Sequence, residues 1–299
     1  MKRHNVEKLH TTSDNARRFG LRMISPTMLV LLVLTAYPLL FTLFYSFTDY
    51  NLLRNLRTPA SFIALQNYTD LLEDPYFRQA VLNTVKFTIL AVVFEMLIGF
   101  FMALVVNSLT RGQKTMRTLL LLPYLLPTVT VALSWRMMLS PNYGIVNQVL
   151  EALNLPVYNW FSDIHTAFGM LLLIDIWQSA PFVFLLLYAA LQSVPQSQYE
   201  AARIDGANAV KTLFYVTIPN IKGSLALCAL LRTIDSFRLF DKVNLLTGGG
   251  PANSTATITQ YLYNYGISSL DFGFGSAGAI VMTLLVLILS SFYIKRAMG

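Results

Sequence analysis

The sequence predicts an all-α integral membrane protein with six transmembrane helices. Three observations predict it. Of the 299 residues, 55% are hydrophobic and only 12% charged, whereas a soluble domain carries about 25% charge. Six apolar runs, near 26–47, 82–106, 117–139, 167–191, 222–245 and 273–295, are long enough to cross a bilayer, which takes about 20 residues. Lysine and arginine are also split unevenly between the two sides of those runs, which sets an orientation.

The first run follows a basic tail, residues 1–22, and is too long for a signal-peptide core. It lacks a small-residue cleavage site and is expected to be a retained span. Residues 23–299 then form one membrane domain. Pro38, Pro123, Pro127 and Pro181 fall inside the runs. Prolines are tolerated there where neighbours satisfy the freed backbone groups. They mark kinks or ordinary packing.

Charge places the connections. Lys2, Arg3, Lys8, Arg17, Arg18, Arg22, Arg111, Lys114, Arg117, Arg203, Lys211, Lys222, Lys295 and Arg296 make 14 basic residues on one side. Arg54, Arg57, Arg78 and Lys242 make 4 on the other. Both termini and the connection at about 192–221 are therefore expected in the cytoplasm. The net charge of +7 belongs to these flanks, so nucleic acid is not the implied partner; membrane lipid is. Segments 48–81 and 140–166 face outward, either touching a partner or forming short interfacial helices.

Ionisable groups at bilayer depth cost about 2.5–3.5 kcal/mol each on translocon scales and tend to face a bundle interior or a watery cavity. Arg232, Asp235, Arg238 and Asp241 recur every three residues in the fifth run. They make either a self-neutralising ladder on one helix face or a polar stripe along a path. Arg136, Glu95, Asp175 and Gln178 are further path candidates. Arg136 and Lys86 could instead snorkel to an interface. Trp177 and Tyr188 either stack on a ring-shaped ligand or simply pack. Cys228 is the lone cysteine, so no disulfide forms within the chain, and it reads as a small buried residue. His4, His10 and His165 show no zinc spacing. No phosphate loop, H-E-x-x-H helix or G-x-S-x-G elbow occurs.

The connection between the fourth and fifth runs is a small-residue island, Glu200-Ala201-Ala202-Arg203-Ile204-Asp205-Gly206-Ala207, followed by Ile218-Pro219. Ser197 and Glu200 have capping-box spacing. Asp205-Gly206 signals a helix end, Asn208 can cap a second helix, and Pro219 brings that helix towards its close. Pattern alone also allows a plain helical hairpin.

Glu200-Ala201-Ala202 with Gly206 and Ile218-Pro219 resembles the EAA loop of ABC importer permeases. Leu191–Pro195, Arg232–Asp241, Leu246–Pro251, Phe62–Tyr68 and Asn83-Thr84 resemble the maltose-type carbohydrate permease family, in order over roughly residues 20–296. The resemblance implies that Glu200, Ala201, Ala202, Asp205, Gly206 and Ala207 couple to a separate ATPase. It implies a second related permease subunit, two cytoplasmic ABC ATPase subunits and an extracytoplasmic substrate-binding protein. ATP and magnesium would sit on the ATPase subunits, with no cofactor in this chain and no catalytic residue. It implies a bacterial or archaeal inner membrane and an oligosaccharide substrate; a glycerol phosphoester or acidic saccharide stays open. The alternative from another class is a stand-alone ion-coupled carrier using Glu95 or Asp175. Its sign, paired broken helices in inverted halves, is not visible in the sequence.

Overall fold

The computed structural model describes residues 2–298; the side chains of 2–18, 292–294 and 296–298 lie outside the described residues. The tail charges Lys2, Arg3, Lys8, Arg17 and Arg18, the histidines His4 and His10, and Arg296 fall there. Among the described residues the chain is helical, and extended pairing is limited to the isolated bridges Thr48–Phe62 and Asn51–Asp271.

The helices are α1 (Lys2–Tyr45), α2 (Gln66–Glu73), α3 (Pro75–Ser108), α4 (Gln113–Leu125), α5 (Thr128–Met138), α6 (Ile145–Ala152) and α7 (Ala167–Gln192). They continue as α8 (Gln196–Ile204), α9 (Ala209–Phe237), α10 (Asp241–Leu246), α11 (Ile258–Leu262) and α12 (Phe272–Met298). Five are long and apolar enough to cross a membrane, or six if the bent pair α4–α5 is one span.

The third run is therefore not one helix. α4 and α5 meet at 85°. Pro127 sits extended at the N-cap of α5, and the residue before a proline is pushed out of the helical region. The Leu126 carbonyl at the break is not abandoned: Gln178 Nε2 donates to it at 3.1 Å. The fifth run is also displaced from its expected bounds. α9 begins at Ala209 and ends at Phe237, and residues 241–246 form the separate α10.

α3 and α7 are the central pair. A Cβ on Gly99 would stand 2.6 Å from Val183 and 2.8 Å from the Ala180 carbonyl, so glycine is what lets these helices approach. One core gathers Ala103, Val106, Phe184, Leu187, Ile221 and Cys228; Cys228 is the expected small buried residue. A second packs Phe87, Val131, Leu171, Ile174 and Val243, tying α10 and α5 onto α3 and α7. A third joins Leu71, Phe77, Phe237, Ile258 and Tyr261.

Polar side chains fix the connections. Asp74 caps α3 by accepting from the Tyr76 amide at 2.7 Å, with Pro75 at the first helical position, where its missing N–H costs nothing. The Tyr261 hydroxyl donates to the other oxygen of Asp74. Burial, then that hydrogen bond, push the phenol above its usual range and keep it a donor. Asn67 Nδ2 donates to the Ser46 and Thr48 carbonyls. Asn83 Nδ2 donates to the carbonyls of Asn253 and Ala256, and Thr84 Oγ1 accepts from the Ile258 amide. The 48–81 and 140–166 segments do contain short helices, α2 and α6.

Candidate functional site

Two places concentrate the polar chemistry. The first is a cavity of about 520 Å3 among α4, α7, α9 and α10, lined by Asp175, Gln178, Arg232, Asp235, Arg238 and Asp241, with Tyr124, Phe240 and Lys242. Six of the eight path candidates thus meet in one space, although they come from three helices and a break. The exceptions are Glu95, which sits behind the lining on α3, and Arg136. Arg136 is exposed and donates to the Leu245 carbonyl at 2.8 Å, lining a separate pocket with Tyr143, Asn159 and Thr247.

A buried ion-pair network forms the wall. Arg232 approaches Glu95 with two nitrogens, Nε to Oε2 at 2.7 Å and Nη2 to Oε1 at 3.1 Å. This bidentate geometry is the strongest that guanidinium and carboxylate make. Both side chains are almost wholly buried, at 6% and 0% exposed. Arg232 also reaches Asp235 at 3.4 Å, and Asp235 reaches Arg238 at 3.6 Å. Lys242 Nζ contacts Asp175 at 2.5 Å, both buried.

The expected single-helix ladder is thus only partly present. It holds for Arg232, Asp235 and Arg238, but Arg238 already caps the end of α9 and Asp241 starts α10. The decisive partner, Glu95, lies 137 residues away on α3. Lys242 is a correction of another kind. Counted as an outward-facing charge, it is buried against Asp175, and α10 folding back onto α7 is the reason. Glu95 and Asp175, the carboxylates an ion-coupled carrier would use, each hold a cationic side chain. Trp177 packs edge-on against Trp135 at 5.6 Å. The Tyr188 hydroxyl bonds Gln113. Neither ring lines the cavity; Tyr124 and Phe240 do. Lys86 lies over the Phe168 ring at 4.7 Å.

The second place is the 196–220 region. α8 starts at Gln196 behind Pro195, with no side-chain cap, so the Ser197 capping box does not form: the helix begins before Ser197 can stand outside it. Its other end closes as the sequence suggests. The Ala207 amide bonds the Ala202 carbonyl at 2.9 Å and the Gly206 amide the Arg203 carbonyl at 3.1 Å, with Gly206 at φ +71°. That pair of bonds is a Schellman motif. Asn208 then caps α9, accepting from the Lys211 amide at 2.9 Å. Pro219 does not end α9. A π-helical turn over Leu213–Thr217 precedes it, and this wider winding accommodates a ring that would clash with a regular preceding turn.

This geometry sorts the six residues. Ala202 is buried and Ala207 half-buried, while Glu200, Ala201, Asp205 and Gly206 are exposed. Tyr199 on the inward face meets Thr217 at 3.4 Å, and Asn220 Nδ2 donates to Gln198 at 2.6 Å. Large apolar side chains stand free beside the loop: Ile204 is 86% exposed and Tyr215 80%.

A polytopic helical bundle with an ion-lined cavity inside it has the architecture of a membrane permease. The chain belongs to the family described as binding-protein-dependent transport system inner membrane component, whose model matches residues 95–296; it is a permease subunit of an ABC importer. The sulfoquinovosyl glycerol transport system permease protein SmoG of Agrobacterium fabrum is 34% identical over 93% of this chain and 90% of its own. The trehalose/maltose transport system permease protein MalF of Thermococcus litoralis is 35% identical over 93% of each chain. In fold, a bacterial ABC transporter involved in the import of the acidic polysaccharide alginate superposes with a TM-score of 0.83 at 22% identity, covering 95% of this chain and 97% of that one.

Proposed function

We propose that the chain is one half of the translocation path of a sugar importer. In this reading α4 and α5 form one broken span among six. Both termini and the 192–221 connection face the cytoplasm of a bacterial or archaeal inner membrane. A second related permease completes the path, an extracytoplasmic binding protein delivers the sugar, and two ATPase subunits hold the ATP and magnesium. Residues 200–207 pass their motion to this subunit. The cavity walled by Asp175, Gln178, Arg232, Asp235, Arg238 and Asp241 is the stretch of path it contributes.

The observation that carries the reading is the tied-down, solvent-exposed end of α8. The Schellman closure at Gly206 and the tie from Asn220 to Gln198 hold the helix against α9, while Glu200, Ala201 and Ile204 stand exposed. A short helix fixed to a span and bare on its outer face can transmit a push from a neighbouring subunit. The relatives named above, for trehalose/maltose and sulfoquinovosyl glycerol, support a saccharide cargo. Arg136, outside the cavity, is assigned to the outer surface.

Reconstitution tests this. The purified subunit in proteoliposomes should neither hydrolyse ATP nor accumulate labelled oligosaccharide under a proton or sodium gradient. Adding the second permease, the ATPase subunits and the loaded binding protein should start ATP-dependent uptake. Gradient-driven uptake by the subunit alone would sink the reading in favour of an ion-coupled carrier.

A further inference from the structure

We propose that the pocket around Arg136 seats an acidic side chain of the extracytoplasmic binding protein. The inference rests on the importer reading above and names where on this chain that partner docks. It is carried by a guanidinium without a carboxylate, held in a pocket whose walls are already fixed.

The pocket, about 570 Å3, is formed by the last turn of α5, the segment before α7 and the end of α10. It lies at the opposite end of α7 from α8: Asn159 and Ser162 come just before Ala167, and Gln196 follows soon after Gln192. Arg136 is its one side chain charged at neutral pH, and no aspartate or glutamate lines it. Arg232, Arg238 and Lys242 each hold a carboxylate. Arg136 has none among the described residues; only its Nη1 is engaged, donating to the Leu245 carbonyl at 2.8 Å. The remaining Nε–Nη2 edge offers two parallel donors, the geometry that a carboxylate takes up in bidentate fashion.

The walls are fixed from within. Buried Asn147 donates to the Ser140 and Tyr158 carbonyls and accepts from Trp160 Nε1 at 2.9 Å. A Cβ on Gly144 would stand 2.5 Å from the Met138 carbonyl, so glycine is what lets the chain turn back onto the end of α5. A pocket already in shape avoids the cost of ordering loops on association. Tyr143 is 65% exposed in the lining, and tyrosine and arginine are among the residues that most often dominate protein–protein contacts. A phospholipid would lay its acyl chains on an apolar wall, but Ser140, Asn142, Asn159, Ser162 and Asn244 interrupt this one. The same amides and hydroxyls suit the backbone of an entering loop. The contact would also reach the path. Asp241 and Lys242 line the cavity, while residues 244–248 line this pocket. A partner seated here bears on α10, the helix shared by both.

The test uses the assembled permease–ATPase complex in nanodiscs and the substrate-loaded binding protein encoded with it, with docking followed by interferometry. Arg136→Gln keeps an amide for the Leu245 carbonyl but removes the charge. It should weaken docking at least about tenfold, one decade in Kd, and flatten its dependence on ionic strength. Arg136→Glu should weaken docking further, and one Asp→Arg or Glu→Arg change on the binding protein should restore it. From the partner's side, each exposed acid of the binding protein is neutralised in turn against the native complex. One of them should match the loss seen with Arg136→Gln. Finding none would overturn the inference, even with neither permease variant assembling. Native-strength docking by Arg136→Gln at every ionic strength would also overturn it and leave the importer standing. So would a loss that tracks the anionic lipid of the nanodisc, which would assign the pocket to a phospholipid headgroup. A native complex that never docks the binding protein would sink the importer reading, and this inference with it.

Discussion

Gly206 turns the chain at the end of α8 with φ at +71° and nothing within 4 Å of where a Cβ would stand. A substitution there meets no wall inside this subunit; its cost is backbone strain. L-residues in the left-handed region cost roughly 1–2 kcal/mol, with asparagine the best tolerated. For a β-branched residue the conformation is a true outlier. Gly206→Asn should therefore keep most of the substrate-stimulated ATPase activity of the assembled complex, whereas Gly206→Val should lose most of it by unwinding the Schellman closure. Equal, native-like activity in both variants would show that the turn's shape does not matter to coupling. The closure was legible because its signal is local: an Asp-Gly pair after a helix-forming run. Lys242 was not. A lysine near the end of an apolar run reads as a flanking charge, and only the return of α10 onto α7 reveals Asp175 as its partner.

The Glu95–Arg232 pair joins α3 to α9. Leaving one partner of a buried ion pair alone costs about 3–5 kcal/mol, and replacing both with apolar residues of similar volume is often near neutral. Glu95→Ala should lower the thermal stability of the complex markedly, somewhat less than the full penalty because Asp235 still faces Arg232 at 3.4 Å. The double variant Glu95→Leu/Arg232→Met should recover most of it. A double-mutant cycle without coupling would mean the pair does not pin the two helices. Four of the apolar runs were legible nearly as drawn, because hydrophobic length is a strong signal. The other two were shifted by features that hydropathy averages over. A window across 117–139 sees one apolar stretch, and only Leu126-Pro127 breaks it by 85°. The helix start at Ala209 was announced by its cap Asn208, but the passage of that helix through Pro219 into the fifth run needs a π-helical turn that no composition signal announces. The ladder on one helix survives in Arg232, Asp235 and Arg238, but its closest partner comes from α3, since spacing in sequence says nothing of a residue 137 positions away.

For the molecule as a whole, orientation decides whether α8 can reach an ATPase at all. α7 is 26 residues long, about 39 Å at 1.5 Å per residue, so the 140–166 segment and the 193–208 connection lie at its opposite ends. With Lys242 buried in an ion pair, only Arg54, Arg57 and Arg78 remain of the expected outward basic residues, which sharpens the charge asymmetry that favours a cytoplasmic α8. Cysteine labelling can read this directly, because the native Cys228 is buried and should resist a membrane-impermeant maleimide. In a Cys228→Ala background, Tyr143→Cys should label in intact cells, since Tyr143 is 65% exposed. Asp205→Cys, also at an exposed position, should label only after the membrane is opened, and less once the ATPase subunits are bound. Labelling of Asp205→Cys from outside would invert the topology, and an α8 on the outer face could not take up the motion of a cytoplasmic motor.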